Sequence, residues 1–133
     1  MTRSILTALV TAGILLTQPA SAQQETVVAF AEGTSSQTLK GSIKGDQDHN
    51  YVVNARAGQT LTVDFKPTNA SAYFNVTAPG ADSAMFIGST SGNRFSGPLT
   101  VSGRHVVQVY LMRNAARRNE TANYTITIEV AGG

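Results

Sequence analysis

Residues 51–65 read YVVNARAGQTLTVDF, and this stretch decides the fold class. Tyr51, Val53 and Ala55 alternate with Val52, Asn54 and Arg56. After Ala57 and Gly58, Leu61, Val63 and Phe65 alternate with Thr60, Thr62 and Asp64. Successive side chains of an extended chain point to opposite faces, so apolar residues at every second position mark a strand with one buried face. Two such runs on either side of a glycine-containing turn predict a β-hairpin.

The same pattern continues outward. Upstream, Leu39, Gly41 and Ile43 alternate with Lys40, Ser42 and Lys44, and residues 26–31 form a β-branched and apolar run. Downstream, a strand is expected over Tyr73–Ala78, ended by Pro79 and Gly80, then short apolar runs over Ala84–Ile87 and Pro98–Val101. The intervening residues 88–93 have turn chemistry. His105, Val107, Val109 and Leu111 share one strand face, with Val106, Gln108, Tyr110 and Met112 on the other. Tyr124, Ile126, Ile128 and Val130 repeat the alternation. No segment after Gln23 carries amphipathic helical periodicity over three turns. About eight short strands joined by turns define an all-β protein, an antiparallel β-sandwich or a closed barrel. Tyr51, Val53, Leu61, Val63, Val107, Val109, Ile126 and Ile128 are the expected core.

The first 22 residues stand apart. Arg3 precedes an apolar run from Ile5 to Leu16, and Ala20-Ser21-Ala22 supplies small residues for cleavage before Gln23. This is the order of a secretory signal peptide, and the run is shorter than the roughly 20 residues of a spanning helix. The expectation is a signal peptide over 1–22 and a single all-β domain over 23–133, placed in the periplasm or secreted. Without Arg3 the domain carries nine basic and eight acidic side chains, a balance too even to collect nucleic acid or an anionic membrane. Cysteine is absent, which excludes disulfides, thiol nucleophiles and thiolate metal sites.

Two segments interrupt the strand pattern. Residues 113–121, Arg113-Asn114-Ala115-Ala116-Arg117-Arg118-Asn119-Glu120-Thr121, separate the two best strands of the second half and exceed a tight hairpin loop. Three arginines lie here, and guanidinium groups recognise carboxylates bidentately. One reading is a protruding loop that docks on an acidic partner through Arg113, Asn114, Arg117, Arg118 and Asn119. The other is a solvated connection containing a short helical turn, tied down by Glu120 pairing with an arginine. The second segment, Gly45-Asp46-Gln47-Asp48-His49-Asn50, joins two strands. Asp46 and Asp48 lack the later glycine and distal glutamate of a calcium loop, and His49 has no companion ligand, so no metal and no cofactor is expected. Asp46, Gln47, Asp48 and His49 are a secondary partner-binding segment on this reading.

The histidines and tyrosines do not compose a catalytic motif. His105 and Tyr124 fall on the apolar faces of their strands and are expected in the core rather than at a phosphate. Neither histidine has a recognisable nucleophile or orienting acid around it. The chain reads as a binding protein, not an enzyme.

The stretch Gly41-Ser42-Ile43-Lys44-Gly45, with Tyr51 and Ala55-Arg56-Ala57-Gly58-Gln59, resembles the N-terminal half of the periplasmic inhibitors of goose-type lysozyme. Residues 113–121 followed by Tyr124 resemble the C-terminal hairpin of that family, with Arg113, Asn114, Arg117, Asn119, Thr121 and Tyr124 matching its pattern. The chain departs from the pattern at Asp46-Gln47-Asp48, where aromatic residues are expected. The resemblance implies a β-sandwich or barrel that blocks a lysozyme-like muramidase cleft with protruding loops. The alternative is a non-inhibitory exported module that binds cell-envelope glycan or protein.

Overall fold

The computed structural model describes residues 23–30 and 35–132. The expected signal peptide, and Ala31 at the end of the first expected strand, lie outside the described residues. Nine strands are described: β1 (Gln23–Val27), β2 (Ser36–Lys44), β3 (Asp48–Ala55), β4 (Gln59–Pro67), β5 (Ala72–Thr77), β6 (Phe86–Ile87), β7 (Arg94–Pro98), β8 (Gly103–Leu111) and β9 (Thr121–Gly132). Two short helices, α1 (Gly88–Ser91) and α2 (Arg113–Arg117), interrupt them.

The strands form two sheets, in the orders β1-β3-β8-β5-β6 and β2-β9-β4-β7, packed as a sandwich and not closed into a barrel. All pairings are antiparallel except β1 on β3, where Gln23 stands opposite Asp48 and Val27 opposite Val52.

The hairpin expected at residues 51–65 is not formed. β3 and β4 belong to different sheets, and the chain crosses between them at Arg56-Ala57-Gly58. The turn is closed by Gln59 N–H donating to the Arg56 carbonyl, with Gly58 at φ 96°. Hairpin and crossing both turn the apolar side of each strand toward one core, so alternation alone does not separate them. The same holds for almost every connection: of consecutive strands, β5 and β6 alone remain in one sheet.

Three boundaries also move. The strand expected over 98–101 lies at Arg94–Pro98, because Asp64 pairs with Arg94 and Phe95 turns inward against Phe86. Leu99 is buried beyond the strand end, its N–H donating to the Gln59 carbonyl. The first strand starts at Gln23 and ends at Val27. Residues 88–91 of the expected loop wind into α1, and the Gly88 backbone lies close against that of Phe74, where a Cβ has no room.

The eight expected core residues are all buried, with exposures of 1% or less. His105 and Tyr124 are buried as expected. Tyr51 of one sheet and Tyr124 of the other meet hydroxyl to hydroxyl at 2.7 Å, a polar tie across an otherwise apolar core. Gly41 makes room for it, since a Cβ there would collide with the Tyr124 hydroxyl.

Candidate functional site

The frequent crossings collect loops at the sandwich ends. At one end lie the β2–β3 turn, the β4–β5 connection and the β8–β9 connection that holds α2. The register enforces this gathering: Lys44 pairs with Thr121, Pro67 with Tyr124, and Ala72 with Leu111.

The β8–β9 segment is a built turn. Ala115 is fully buried and anchors α2 in the core, with Ala116 packed beside it. Arg118 caps the helix and Asn119 follows at φ 57°, the left-handed region that asparagine tolerates better than other side chains. Asn119 N–H donates to the Ala116 carbonyl and Glu120 N–H to the Ala115 carbonyl, the two bonds of a Schellman ending. Asn69 on the β4–β5 connection donates from its amide to Glu120 and to the Thr121 carbonyl. Gly45 N–H donates to the Glu120 carbonyl at 2.9 Å, joining the two expected segments directly. Gly45 meets two requirements there. Its φ is 63°, and a Cβ would stand 2.6 Å from the Asn119 Oδ1.

Within this frame the candidate residues separate. Arg118 is paired with Glu120 at 2.8 Å. The Asn69 amide and then Arg118 hold the Glu120 carboxyl below its ordinary value. Arg113 and Arg117 are both exposed, and neither has a carboxylate at salt-bridge distance among the described residues. Asn114 is also exposed, its Oδ1 accepting the Ala115 N–H. Both readings of the segment thus have a counterpart: a helical turn is tied down by Glu120, and two guanidinium groups take no part in that tie.

The second segment is less loop than expected. Gln47 closes the turn after Lys44, through its N–H to the Lys44 carbonyl and its Oε1 accepting the Lys44 N–H. Asp48 and His49 already belong to β3, because pairing with β1 and β8 extends to them. His49 stacks on Tyr51 with ring centroids 4.2 Å apart, and its Nε2 meets the Thr26 hydroxyl at 2.8 Å. Burial lowers the His49 pKa. Asp48 accepts from Gln108 on the outer sheet face. Its pKa is raised, first by burial and further by the charge of Asp46, against the lowering effect of the Gln108 bond.

Beside α2, an open groove of about 730 Å³ joins the segments, lined by Asp46, Asp48, Gln108, Tyr110, Met112 and Arg113 among others. Sequence reasoning did not single out Tyr110 and Met112 as binding residues. Their signal was present in the outward phase of β8 next to the arginine segment. A second groove of about 720 Å³, at the other end, is bordered by Phe30, Ser35 and Arg56 and includes none of the candidate residues.

A disulfide-free β-sandwich that holds a rigid basic turn beside a concave flank defines a class: small proteins built to dock on another macromolecule. No protein-family model matches the chain. It is 29% identical over 131 residues to the inhibitor of g-type lysozyme of Escherichia coli (strain K12), covering 96% of this chain and 97% of that protein. The crystal structure of Aeromonas hydrophila PliG, a periplasmic inhibitor of g-type lysozyme, matches with a TM-score of 0.77 and 35% identity. The match covers 84% of this chain and all of the other. Salmonella Typhimurium PliG matches at a TM-score of 0.64 and 26% identity, over 81% of this chain and 98% of its own. The chain belongs to the PliG family of periplasmic inhibitors of g-type lysozyme.

Proposed function

We propose that this protein inhibits a g-type lysozyme by seating α2 in the enzyme's active-site cleft, with Arg117 and Arg113 facing its carboxylates. The observation that carries this reading is the pairing pattern. Arg118 is committed to Glu120, whereas Arg113 and Arg117 have no carboxylate partner among the described residues, on a turn fixed by Ala115, the Schellman ending and Gly45. Glycoside hydrolysis depends on carboxyl groups flanking the scissile bond. A guanidinium offers such groups a bidentate, charge-assisted partner and displaces the sugar and water that hydrolysis requires. The turn is ordered before docking, which lowers the entropy lost on binding. Asp46 at the neighbouring turn and Asp48 in the groove form the edge of the contact, and Gln47 and His49 shape that edge from within.

The test is inhibition of g-type lysozyme acting on cell-wall substrate, titrated with the wild-type domain and with Arg117→Ala. The expected result is inhibition by the wild type and a marked loss with the variant. Full lytic activity in the presence of about 1 μM wild-type protein, a concentration that corresponds to roughly 8 kcal/mol of binding, would remove the reading.

A further inference from the structure

A docked α2 is too small an interface by itself. A stable protein complex covers about 800 Å² on each partner, drawn from roughly 20–30 residues a side. Residues 113–121 number nine, and Ala115 among them is buried. The remainder comes from a flank of the turn, and the two flanks differ in chemistry.

On the β4–β5 side the polar side chains of Thr68 and Asn69 are already engaged. Asn69 is spent on Glu120, the Thr121 carbonyl and the Ser71 N–H. On the other side lies the outer face of the five-stranded sheet. Tyr73 and Tyr110 sit there as cross-strand neighbours with ring centroids 6.3 Å apart. The Tyr110 hydroxyl donates to the Asn75 Oδ1 at 3.2 Å, which fixes its ring before any partner arrives. Met112 is 39% exposed at the junction with α2. Tyrosine and methionine are enriched at interface cores, where charged side chains other than arginine are depleted. This flank is also concave and shares Met112, Arg113 and Ala116 with the basic turn.

We infer that the Tyr73–Tyr110–Met112 flank is a second half of the inhibitory interface and receives the rim of the lysozyme cleft. The inference rests on the inhibitory reading above. The segment it takes is convex. It places an apolar or aromatic side chain against Tyr110 and Met112, and hydrogen-bond donors toward Asp48 and Asp46 at the groove edge. Arg117 then supplies the charge contact in the cleft, and the sheet face supplies the apolar area that the turn lacks.

The test uses the wild-type domain in complex with lysozyme. Peroxide transfers one oxygen atom to an exposed methionine sulfur, leaving sulfoxide and water, and peptide mass spectrometry reads the rate at each site. Met85, 42% exposed and bordering a separate groove with Phe86, Ile87 and Thr90, is the internal reference. The expected result is several-fold slower oxidation of Met112 in the complex, with Met85 unchanged. Met112 oxidised at its unbound rate in a saturated complex overturns the inference. Tyr110→Ala and Met112→Ala should each weaken inhibition about ten- to hundred-fold, and Lys66→Ala by no more than about two-fold. If Arg117→Ala abolishes inhibition while both flank variants inhibit like wild type, the flank is excluded and the inhibitory reading stands. If the wild type binds no lysozyme, both fall together.

Discussion

Two adjacent arginines, Arg117 and Arg118, have opposite fates, and the difference is set by one carboxylate. Glu120 accepts from Arg118 Nε and from the Asn69 amide, so it is satisfied without Arg117. Truncating one member of a buried charge pair at an interface costs about 2–5 kcal/mol. Arg117→Ala should therefore weaken lysozyme inhibition by tens- to thousands-fold at an unchanged melting temperature. Arg117→Lys should recover only part, because it keeps the charge and loses the planar fork. Arg118→Ala should leave inhibition closer to wild type, since its guanidinium is turned toward Glu120. Equal losses for the two alanine variants would mean that pairing with Glu120 does not partition them. Gly45 presents a second single-residue test. An L-residue in its left-handed conformation costs about 1–2 kcal/mol, and a Cβ also presses on the Asn119 Oδ1. Gly45→Ala should lower stability by at least that amount in chemical denaturation. It should also lower inhibition, because the contact it disturbs holds the basic turn. Unaltered stability would show that the turn relaxes freely and is not the rigid element described.

At the scale of elements, α2 is a five-residue helix that would not form alone, since nucleating a single turn is unfavourable. Tertiary contacts hold it, Ala115 in the core and Gly45 and Asn69 on Glu120, together with the local Schellman ending. Asn119 occupies the position where glycine is usual. Asn119→Gly should retain stability and inhibition, whereas Asn119→Val should lose about 1–2 kcal/mol in denaturation and inhibit more weakly. Equal stability of the two variants would contradict the left-handed ending. What the sequence disclosed about the elements follows from the range of each interaction. Strand faces were legible because period two is local, and all eight expected core residues are buried. The arginine segment was legible as a break in that period, and an Arg–Glu120 tie was one of its two readings. The sheet to which each strand belongs was not legible. A crossing and a hairpin impose the same alternation, so the turn at Arg56-Ala57-Gly58 carried no signal of which it is. Asp48 and His49 read as loop because their neighbours are polar, yet β1 and β8 recruit them into the sheet from residues distant in sequence. Tyr110 and Met112 were legible as outward-facing and next to the arginine segment, but the groove they share with Asp46 and Asp48 appears only in the packing.

For the molecule as a whole, the alternation of strands between sheets means that the end proposed to dock is held from both layers at once. The β2–β3 turn and the β8–β9 segment each link one sheet to the other, and Tyr51 and Tyr124 tie the layers beneath them. The parallel strand β1 belongs to this arrangement, because Thr26 bonds His49 and His49 stacks on Tyr51. That contact makes stability depend on pH. Burial lowers the pKa of His49 from its ordinary value of 6.5. The unfolded chain then binds the proton more readily than the folded one. Stability is full above the unfolded value and declines as pH falls from there to the folded value, below which the loss is complete and constant. Asp48 works the other way, because its raised pKa favours the protonated folded form as pH falls toward the carboxylate range. Glu120, with its lowered pKa, loses its contribution in that same acidic range. The interval between about pH 7.5 and 5.5 is where the imidazole of the unfolded chain takes up its proton. The melting temperature of the wild type should fall across it. His49→Gln removes the titration and should flatten the fall, even if its melting temperature is lower throughout. A slope identical in both proteins would mean that the contact of β1 on the docking end is not governed by this imidazole.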